Sequence, residues 1–229
     1  MVPLFMIVLF FSVDMAHLIP ILDAWDKQAM IALNFAGSET TDHFWYLYSD
    51  KKIWAPLVIV ALVTLFRDQP GTIRQKTLVI LATILLVAVF DQVSSSLIKP
   101  LVCRLRPSHD PAISSLLHYV NNYHGGAFGF VSGHATNTMG IATWLALIYR
   151  NRLSQLSLIL FAVMMGYSRI YLGVHYPGDV ICGSILGATI AFIVFRIMAR
   201  RGWIQSTKAC PVFLLAAFYI TVAGIIIAA

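Results

Sequence analysis

The sequence predicts an all-α protein, a polytopic bundle of transmembrane helices. Of its 229 residues, 59% are hydrophobic and 11% are charged, whereas a soluble domain has about 25% charged residues. Apolar stretches long enough to approach the roughly 20 residues of a membrane span recur along the chain. So few charges cannot cover a soluble globule of this size. We therefore expect lipid to cover much of the surface.

Short polar segments separate the apolar stretches, and the sequence shows no internal repeat. This pattern predicts one membrane domain over residues 1–229. The first stretch lacks a basic amino-terminal region and a small-residue cleavage site, which favours a retained span over a secretory signal. The predicted spans are residues 2–22, 53–66, 77–98, 133–149, 156–172, 178–198 and 209–229.

Residues 23–50 are too polar to cross a bilayer. Within them and at their border, Leu22, Trp25, Ala29 and Leu33 recur at helical spacing, and aromatic residues follow from Phe44 onward. This combination predicts an interfacial segment in the headgroup layer. An ordinary surface loop with aromatic anchors is the alternative.

The formal net charge of +6 does not indicate a nucleic-acid partner, because the basic residues are scattered between apolar runs. They are better explained as membrane-flanking charges or as ligands for an anion. With a cytoplasmic amino terminus, most of them fall on inner connections, as the positive-inside rule requires. The short loops favour a bacterial inner-membrane protein. Cys103, Cys182 and Cys210 form no disulfide or metal framework.

Four predicted helix ends emerge on the outer face and carry polar residues. Lys99 ends the third span, Ser132 begins the fourth, Arg169 lies near the end of the fifth, and Pro177 begins the sixth. Each span crosses once, so these ends can meet in space and form a site facing the periplasm. The residues gathered there are Lys99, Arg106, Ser132, Gly133, His134, Arg169, His175 and Asp179.

Cations around two histidines attract a multiply charged anion and repel a metal ion, so we expect no metal or cofactor. Arginine forks match phosphate oxygens, and lysine adds a point charge. The first N–H groups of a helix that starts at Gly133, with Ser132 as its N-cap, also suit phosphate. The predicted phosphate ligands are Lys99, Arg106, Ser132, Gly133 and Arg169.

The histidines divide the predicted chemistry. Pro177 suits the first position of a helix, which places Asp179 in its first turn and His175 just before it. A carboxylate there fixes the imidazole tautomer. We predict that His175 attacks phosphorus and that His134 protonates the departing alkoxide.

Three motifs, in order, resemble those of the type 2 phosphatidic acid phosphatase (PAP2) superfamily. The segment 99–107 is similar to KxxxxxxRP, 132–134 to PSGH, and 168–179 to SRxxxxxHxxxD. The resemblance implies a six-helix core at about residues 53–198 and metal-independent dephosphorylation of lipid phosphates. It also implies a phosphohistidine at His175, a proton donor at His134 and the phosphate ligands named above. Val131 replaces the usual proline, and the span at 209–229 lies outside the common core.

The sequence therefore predicts a membrane lipid phosphatase. Its substrate could be undecaprenyl diphosphate, phosphatidylglycerol phosphate, phosphatidate or a lipid A phosphate. A non-catalytic lipid-phosphate binder or carrier is one alternative. A metal-dependent hydrolase with His134, His175 and Asp179 as ligands is another. Asp91 either bonds a neighbouring helix or supports the site, and Arg104 is either a headgroup contact or a plain interfacial charge.

Overall fold

The structure is a computed structural model that describes the backbone of residues 4–229 and the side chains of residues 18–229. This part of the chain is all-α, with isolated β-bridges as its only β structure. The predicted fold class is thus confirmed. The helices are α1 Leu4–Leu33, α2 Glu39–Ser49, α3 Ala55–Asp68, α4 Ile73–Asp91, α5 Gly133–Ile148, α6 Arg152–Tyr171, α7 Pro177–Arg200 and α8 Val212–Ala228.

Three helical stretches of the described chain are long and apolar enough to cross a bilayer. They are Ile73–Val102, Arg152–Tyr171 and Pro177–Arg200. The apolar α8 is shorter, and α3 and α5 have 14 and 16 residues. At 1.5 Å per residue, α3 and α5 reach about 21 and 24 Å. Helices α3–α8 coincide with the predicted spans to within a few residues.

The amino-terminal part differs from the prediction, because α1 runs without a break from Leu4 to Leu33. Residues 23–33, predicted as an interfacial segment with apolar residues at helical spacing, are helical and extend the first helix. The helix continues through its charged residues because Lys27 pairs with Asp23 at 3.0 Å and with Asp110 at 3.1 Å. Residues 2–3 of the predicted first span, and the side chains of residues 4–17, lie outside the described part.

The helix α4 continues past Asp91 through a π-helical stretch, Gln92–Ile98, and a last turn, Lys99–Val102. The wider π-turn rotates the later side chains, so Asp91, Ser95 and Lys99 do not form the straight α-helical stripe that their spacing suggests. The Asp91 side chain is exposed and bonds to no described residue. Its predicted bond to a neighbouring helix is therefore not present in this part. Such π-turns are frequent at functional sites.

A central core joins α4, α5 and α7. Trp144 is fully buried there and donates its indole N–H to the Thr83 hydroxyl at 2.9 Å. Phe90 and Phe195 belong to the same apolar cluster, and Leu214 extends it to α8. Burial of large side chains such as these is the main source of packing energy in a helix bundle.

Two glycines one turn apart bring α7 against the start of α5. A Cβ added to Gly183 would lie 2.7 Å from the Ser132 carbonyl oxygen, and one added to Gly187 would collide with the Thr136 carbonyl. Small residues at this spacing allow two helix backbones to approach closely. The close approach holds the first turn of α5 beside the first turn of α7, where the predicted site lies.

The connections after α3, α5 and α7 meet at the end of the bundle away from this point. The Gln75 side chain donates to the Gly202 carbonyl at 3.0 Å, and the Arg150 N–H donates to the Thr207 carbonyl at 2.7 Å. The loop 103–131 and the α6–α7 connection lie at the other end. The bundle thus separates its basic short turns from the predicted site.

Candidate active site

His175 and Asp179 form a buried pair at the start of α7. The two residues are 1% and 0% exposed. The His175 Nδ1 lies 3.4 Å from Asp179 Oδ2, and the same oxygen accepts the Tyr176 N–H at 3.1 Å. Pro177 occupies the first helical position, as predicted, and places Asp179 in the first turn. The pair that the sequence spacing suggested therefore meets in space.

The other nitrogen of His175 faces Arg106, with 3.2 Å between Nε2 and Nη1. A guanidinium can only donate hydrogen bonds, so Nε2 is the acceptor and Nδ1 carries the proton that points to Asp179. Burial lowers the pKa of His175 well below its usual value, and the charges of Arg106 and Arg169 lower it further. The imidazole is therefore neutral at pH 7, and its Nε2 lone pair accepts from Arg106.

Arg106 is held in place by the backbone of the loop 103–131. Its Nε donates to the Phe128 carbonyl and its Nη1 to the Val174 carbonyl, each at 3.1 Å. A backbone bond from the Arg106 N–H to the Ala127 carbonyl at 2.9 Å fixes the strand-like segment that carries it. The guanidinium is thus aimed at His175 rather than at solvent.

Arg169, near the end of α6, is 3% exposed. Its Nη1 donates to the Ser49 hydroxyl and its Nη2 to the Tyr123 hydroxyl, the latter at 3.2 Å. The buried Nε–H has no acceptor among the described residues. A buried donor without a partner is costly. An anion bound beside Arg169 would remove that cost.

The start of α5 provides two free backbone donors. Ser132 is buried, and its hydroxyl accepts the Ala135 N–H at 3.4 Å, which confirms the predicted N-cap. The Ser132 N–H donates to the Asp179 carbonyl at 3.0 Å, which ties α5 to α7. The N–H groups of Gly133 and His134 have no acceptor within residues 18–229, so they remain available to a ligand.

Lys99 completes the group of cations. Its ammonium interacts electrostatically with Arg106, Asp91, Arg169 and Asp179, although it makes no hydrogen bond to a described side chain. His134 lines a cavity of about 480 Å³ together with Arg169. The structure therefore brings all eight predicted site residues to one end of the bundle. Their chemical roles stay predictions.

Arg104 is a site residue that the sequence motifs missed. Its Nη1 donates to Asp179 Oδ1 at 2.9 Å and to Asp26 at 2.8 Å, and its Nη2 donates to Asp23 at 2.9 Å. The guanidinium also lies 4.1 Å from the centre of the Tyr176 ring. Neither the headgroup contact nor the plain interfacial charge describes these bonds. The signal in the sequence was Asp23 and Asp26, one turn apart on α1.

Asp26 links α1 to α7 in two ways, through Arg104 and by a direct hydrogen bond. Its Oδ1 accepts the Gly178 N–H at 2.7 Å, while its Oδ2 accepts from Arg104. A carboxylate at a helix amino terminus satisfies an otherwise free backbone donor and complements the helix dipole. The first helix therefore supports the same turn that carries Asp179.

The cavity beside His134 contains further residues outside the three motifs. Among them are Ser49, Tyr123, Lys51 and Lys52. Burial raises the pKa of Tyr123, but the Arg169 guanidinium in contact with its hydroxyl outweighs this effect and leaves the pKa below its usual value. These residues come from the α2–α3 turn and the loop 103–131.

No group of three or more His, Cys, Asp and Glu side chains between residues 18 and 229 is placed to hold a metal ion. His175 already has Arg106 and Asp179 at its two ring nitrogens. The three cysteines are free thiols.

The long apolar helices make the chain an integral membrane protein, and the buried cations around a histidine–aspartate pair describe an anion-handling site. The profile of the PAP2 superfamily matches residues 76–203, more than half of the chain. The chain belongs to the PAP2 superfamily and is a phosphatase of the PAP2 type.

Known relatives agree with this assignment. The chain is 34% identical to the lipid A 4'-phosphatase of Bacteroides thetaiotaomicron over 85% of its own length and 86% of that protein. It is also 34% identical to the lipid A 4'-phosphatase of Porphyromonas gingivalis over 81% of its length and 78% of that protein. The crystal structure of a PAP2-type phosphatidylglycerolphosphate phosphatase from Bacillus subtilis superposes with a TM-score of 0.60. At 23% identity, it covers 84% of this chain and 94% of its own.

Proposed function

We propose that this protein removes a phosphate from a lipid headgroup through a phosphohistidine at His175. The observation that carries the proposal is a neutral, buried imidazole whose Nε2 lone pair faces Arg106 among further cations. A lipid A phosphate monoester is the favoured substrate, because two relatives named lipid A 4'-phosphatase match over most of the chain. Relatives named undecaprenyl-diphosphatase match over less of it, 66% at 29% identity for one and 32% for another.

The first step transfers the phosphoryl group to the enzyme. Lys99, Arg106 and Arg169 hold the non-bridging oxygens, aided by the free N–H groups at the start of α5. The phosphate replaces Arg106 as the partner of His175 Nε2. The nitrogen attacks phosphorus and the bond to the lipid oxygen breaks. The bound phosphate offsets the neighbouring cations, so His134 is protonated in the complex and donates its proton to the alkoxide.

The second step returns the enzyme to its starting state. Neutral His134 takes a proton from water, the hydroxide attacks the phosphohistidine, and the P–N bond breaks. Inorganic phosphate leaves, and His175 and a protonated His134 are regenerated. Asp179 stabilises the positive imidazole through the Nδ1–H in both steps, as a carboxylate does in other histidine-based sites. The cations supply the charge stabilisation that phosphoryl transfer needs.

Arg104 has a supporting role in this proposal. It donates to Asp179 Oδ1 while the other carboxylate oxygen faces His175 and the Tyr176 N–H. Asp179 is fully buried, and a buried charge needs both a partner and hydrogen bonds. Arg104 therefore keeps Asp179 ionised and fixes the direction in which it points.

We further propose that the site faces the periplasm of a bacterial inner membrane. The basic connections after α3, α5 and α7 gather at the opposite end of the bundle, where they carry Arg67, Arg150 and Arg200. Such residues are enriched on the cytoplasmic side of membrane proteins. A cysteine placed in the loop 103–131 and labelled from outside intact cells would test this orientation.

Phosphate release by the purified protein tests the chemistry. We expect release from lipid A in detergent, and loss of release in His175→Ala. A matched control is His109→Ala, because His109 is an exposed histidine of the outer loop whose side chain bonds only to Ser108 among the described residues. With phosphate-labelled lipid, we expect an acid-labile, alkali-stable phosphoprotein that is absent in His175→Ala. Unchanged release by His175→Ala would reject the proposed nucleophile.

The same preparation separates an enzyme from a carrier. A carrier would bind labelled lipid A with full occupancy and release no phosphate from any lipid of the panel. That panel contains undecaprenyl diphosphate, phosphatidylglycerol phosphate, phosphatidate and lipid A. Release from one of these lipids and not the others would identify the substrate.

A further inference from the structure

The cavity that holds His134 and Arg169 is larger than a phosphate group requires. Its volume is about 480 Å³, within the roughly 300–1,000 Å³ of sites that hold whole ligands. His134 and Arg169 form one part of its wall. The α2–α3 turn, with Lys51 and Lys52, forms another. The space thus extends from His134 and Arg169 to a second pair of cations, Lys51 and Lys52.

Lys51 and Lys52 are exposed and form no ion pair with a described residue. The neighbouring carboxylate of Asp50 is engaged in shaping the turn, because its Oδ1 accepts the Lys52 N–H at 2.9 Å. The two ammonium groups are therefore free to bind a ligand. Lysine suits an anionic group whose orientation varies, because it acts as a point charge on a flexible stem.

Tyr123 connects this pair to the catalytic cations. Its hydroxyl accepts from Arg169 at 3.2 Å. Burial raises the pKa of Tyr123, yet Arg169, Arg106 and Lys51 together bring it below its usual value. The charge of Lys51 thus reaches the same phenol that Arg169 contacts. Arg169 and the two lysines therefore border one continuous space.

We propose that Lys51 and Lys52 form a second anion subsite, which binds another anionic group of the headgroup whose phosphate is cleaved at His175. This inference rests on the proposed function and narrows its substrate class. The substrate is a headgroup with two separated anionic groups, such as a bis-phosphorylated disaccharide lipid. The three motifs of the chain contain neither lysine, so the subsite determines specificity and takes no part in the chemistry.

The test compares two lipids that differ in one phosphate. The first is a bis-phosphorylated disaccharide lipid, and the second lacks the phosphate that is not cleaved. Both are assayed in a neutral detergent with wild type, the Lys51→Gln/Lys52→Gln double variant and a Lys208→Gln control from the opposite end of the chain. Exposed charge pairs contribute modestly, so we expect wild type to show a roughly 5- to 10-fold lower KM for the first lipid.

In the double variant the ratio of the two KM values falls to about one, and in Lys208→Gln it stays as in wild type. A double variant that keeps the wild-type ratio would overturn the subsite. The subsite would also be overturned if the double variant lost the preference for the first lipid only when anionic lipid is added to the micelles, because this would show that the lysines contact the bilayer instead.

Binding of both lipids in a His175→Ala background measures the subsite without turnover. There the same loss of preference in the lysine variants supports the inference, and equal affinities before and after the substitutions overturn it. Failure of the proposed function shows up separately, as absence of phosphate release by wild type.

Discussion

Replacing Arg104 with glutamine tests whether Asp179 depends on its guanidinium. Asp179 has no exposed surface and accepts from Arg104 at 2.9 Å. Removing one partner of a buried ion pair costs roughly 3–5 kcal/mol. Because 21% of the Arg104 side chain is exposed, we expect a value near the lower limit, about 3 kcal/mol. Water can replace part of the lost contact.

The catalytic effect follows from geometry. A shift of about 1 Å in an aligned group can cost about 100-fold in rate, so we expect kcat of Arg104→Gln to fall by about that factor. KM should change little, because Arg104 does not contact the proposed phosphate position. Initial rates of phosphate release in detergent give both constants, and a thermal melt shows how much protein is folded.

Two further variants separate positioning from general stability. Arg104→Lys keeps the charge but cannot bridge three carboxylates, so we expect a rate between those of wild type and Arg104→Gln. Arg67→Gln removes a more exposed arginine–aspartate contact, at 2.8 Å to Asp68, from the other end of the bundle and should leave kcat unchanged. The reasoning is refuted if Arg104→Gln is folded and turns over within twofold of wild type.

Three other measurements address separate features. As the pH falls below about 6.5, His175 takes up a proton in the unfolded state but not in the folded state, where it is buried. Through this residue the free energy of unfolding should fall by about 1.4 kcal/mol for each pH unit of acidification. Thermal melts from pH 7 to 5 should therefore show a smaller loss of stability in His175→Gln than in wild type; equal dependence of stability on pH in the two proteins contradicts this. Gly187→Val should lower Tm by several degrees through about 1–3 kcal/mol of overpacking, whereas Gly224→Val, which has open space around it, should not; equal losses would argue against the close α5–α7 contact. Full activity in EDTA is expected, and activity that is lost and then restored by added zinc would favour His134 and Asp179 as metal ligands.

Much of the bundle could be predicted because membrane spans are local in sequence. Each of α3–α8 corresponds to one apolar run, and start signals such as the Ser132 N-cap and Pro177 at a first helical position mark where helices begin. Residues 23–50 are too polar to cross a bilayer, so the continuation of the first helix through the charges of residues 23–27 was not predicted. Their pairing with Lys27 and Arg104 neutralises them, and pairing of this kind depends on distant residues.

The site could be predicted to the extent that it consists of helix ends. Alternation of the spans alone places Lys99, Arg169 and His175 at one face, so their convergence needed no coordinates. Arg104 was different. Its three carboxylate partners come from α1 and α7, and no periodicity in the sequence shows that those helices meet. For the same reason the cavity wall formed by Lys51 could not be anticipated.

Asp26 accepts two hydrogen bonds, one from Arg104 and one from the Gly178 N–H. This has a practical consequence for protein engineering. The region shared with the superfamily profile, 76–203, does not include Asp23 and Asp26, two of the three carboxylates that hold Arg104. A chimera that transplants only this shared region into another scaffold would carry every motif residue and still leave Arg104 without two of its partners. The smallest transferable unit of this site therefore includes the first helix.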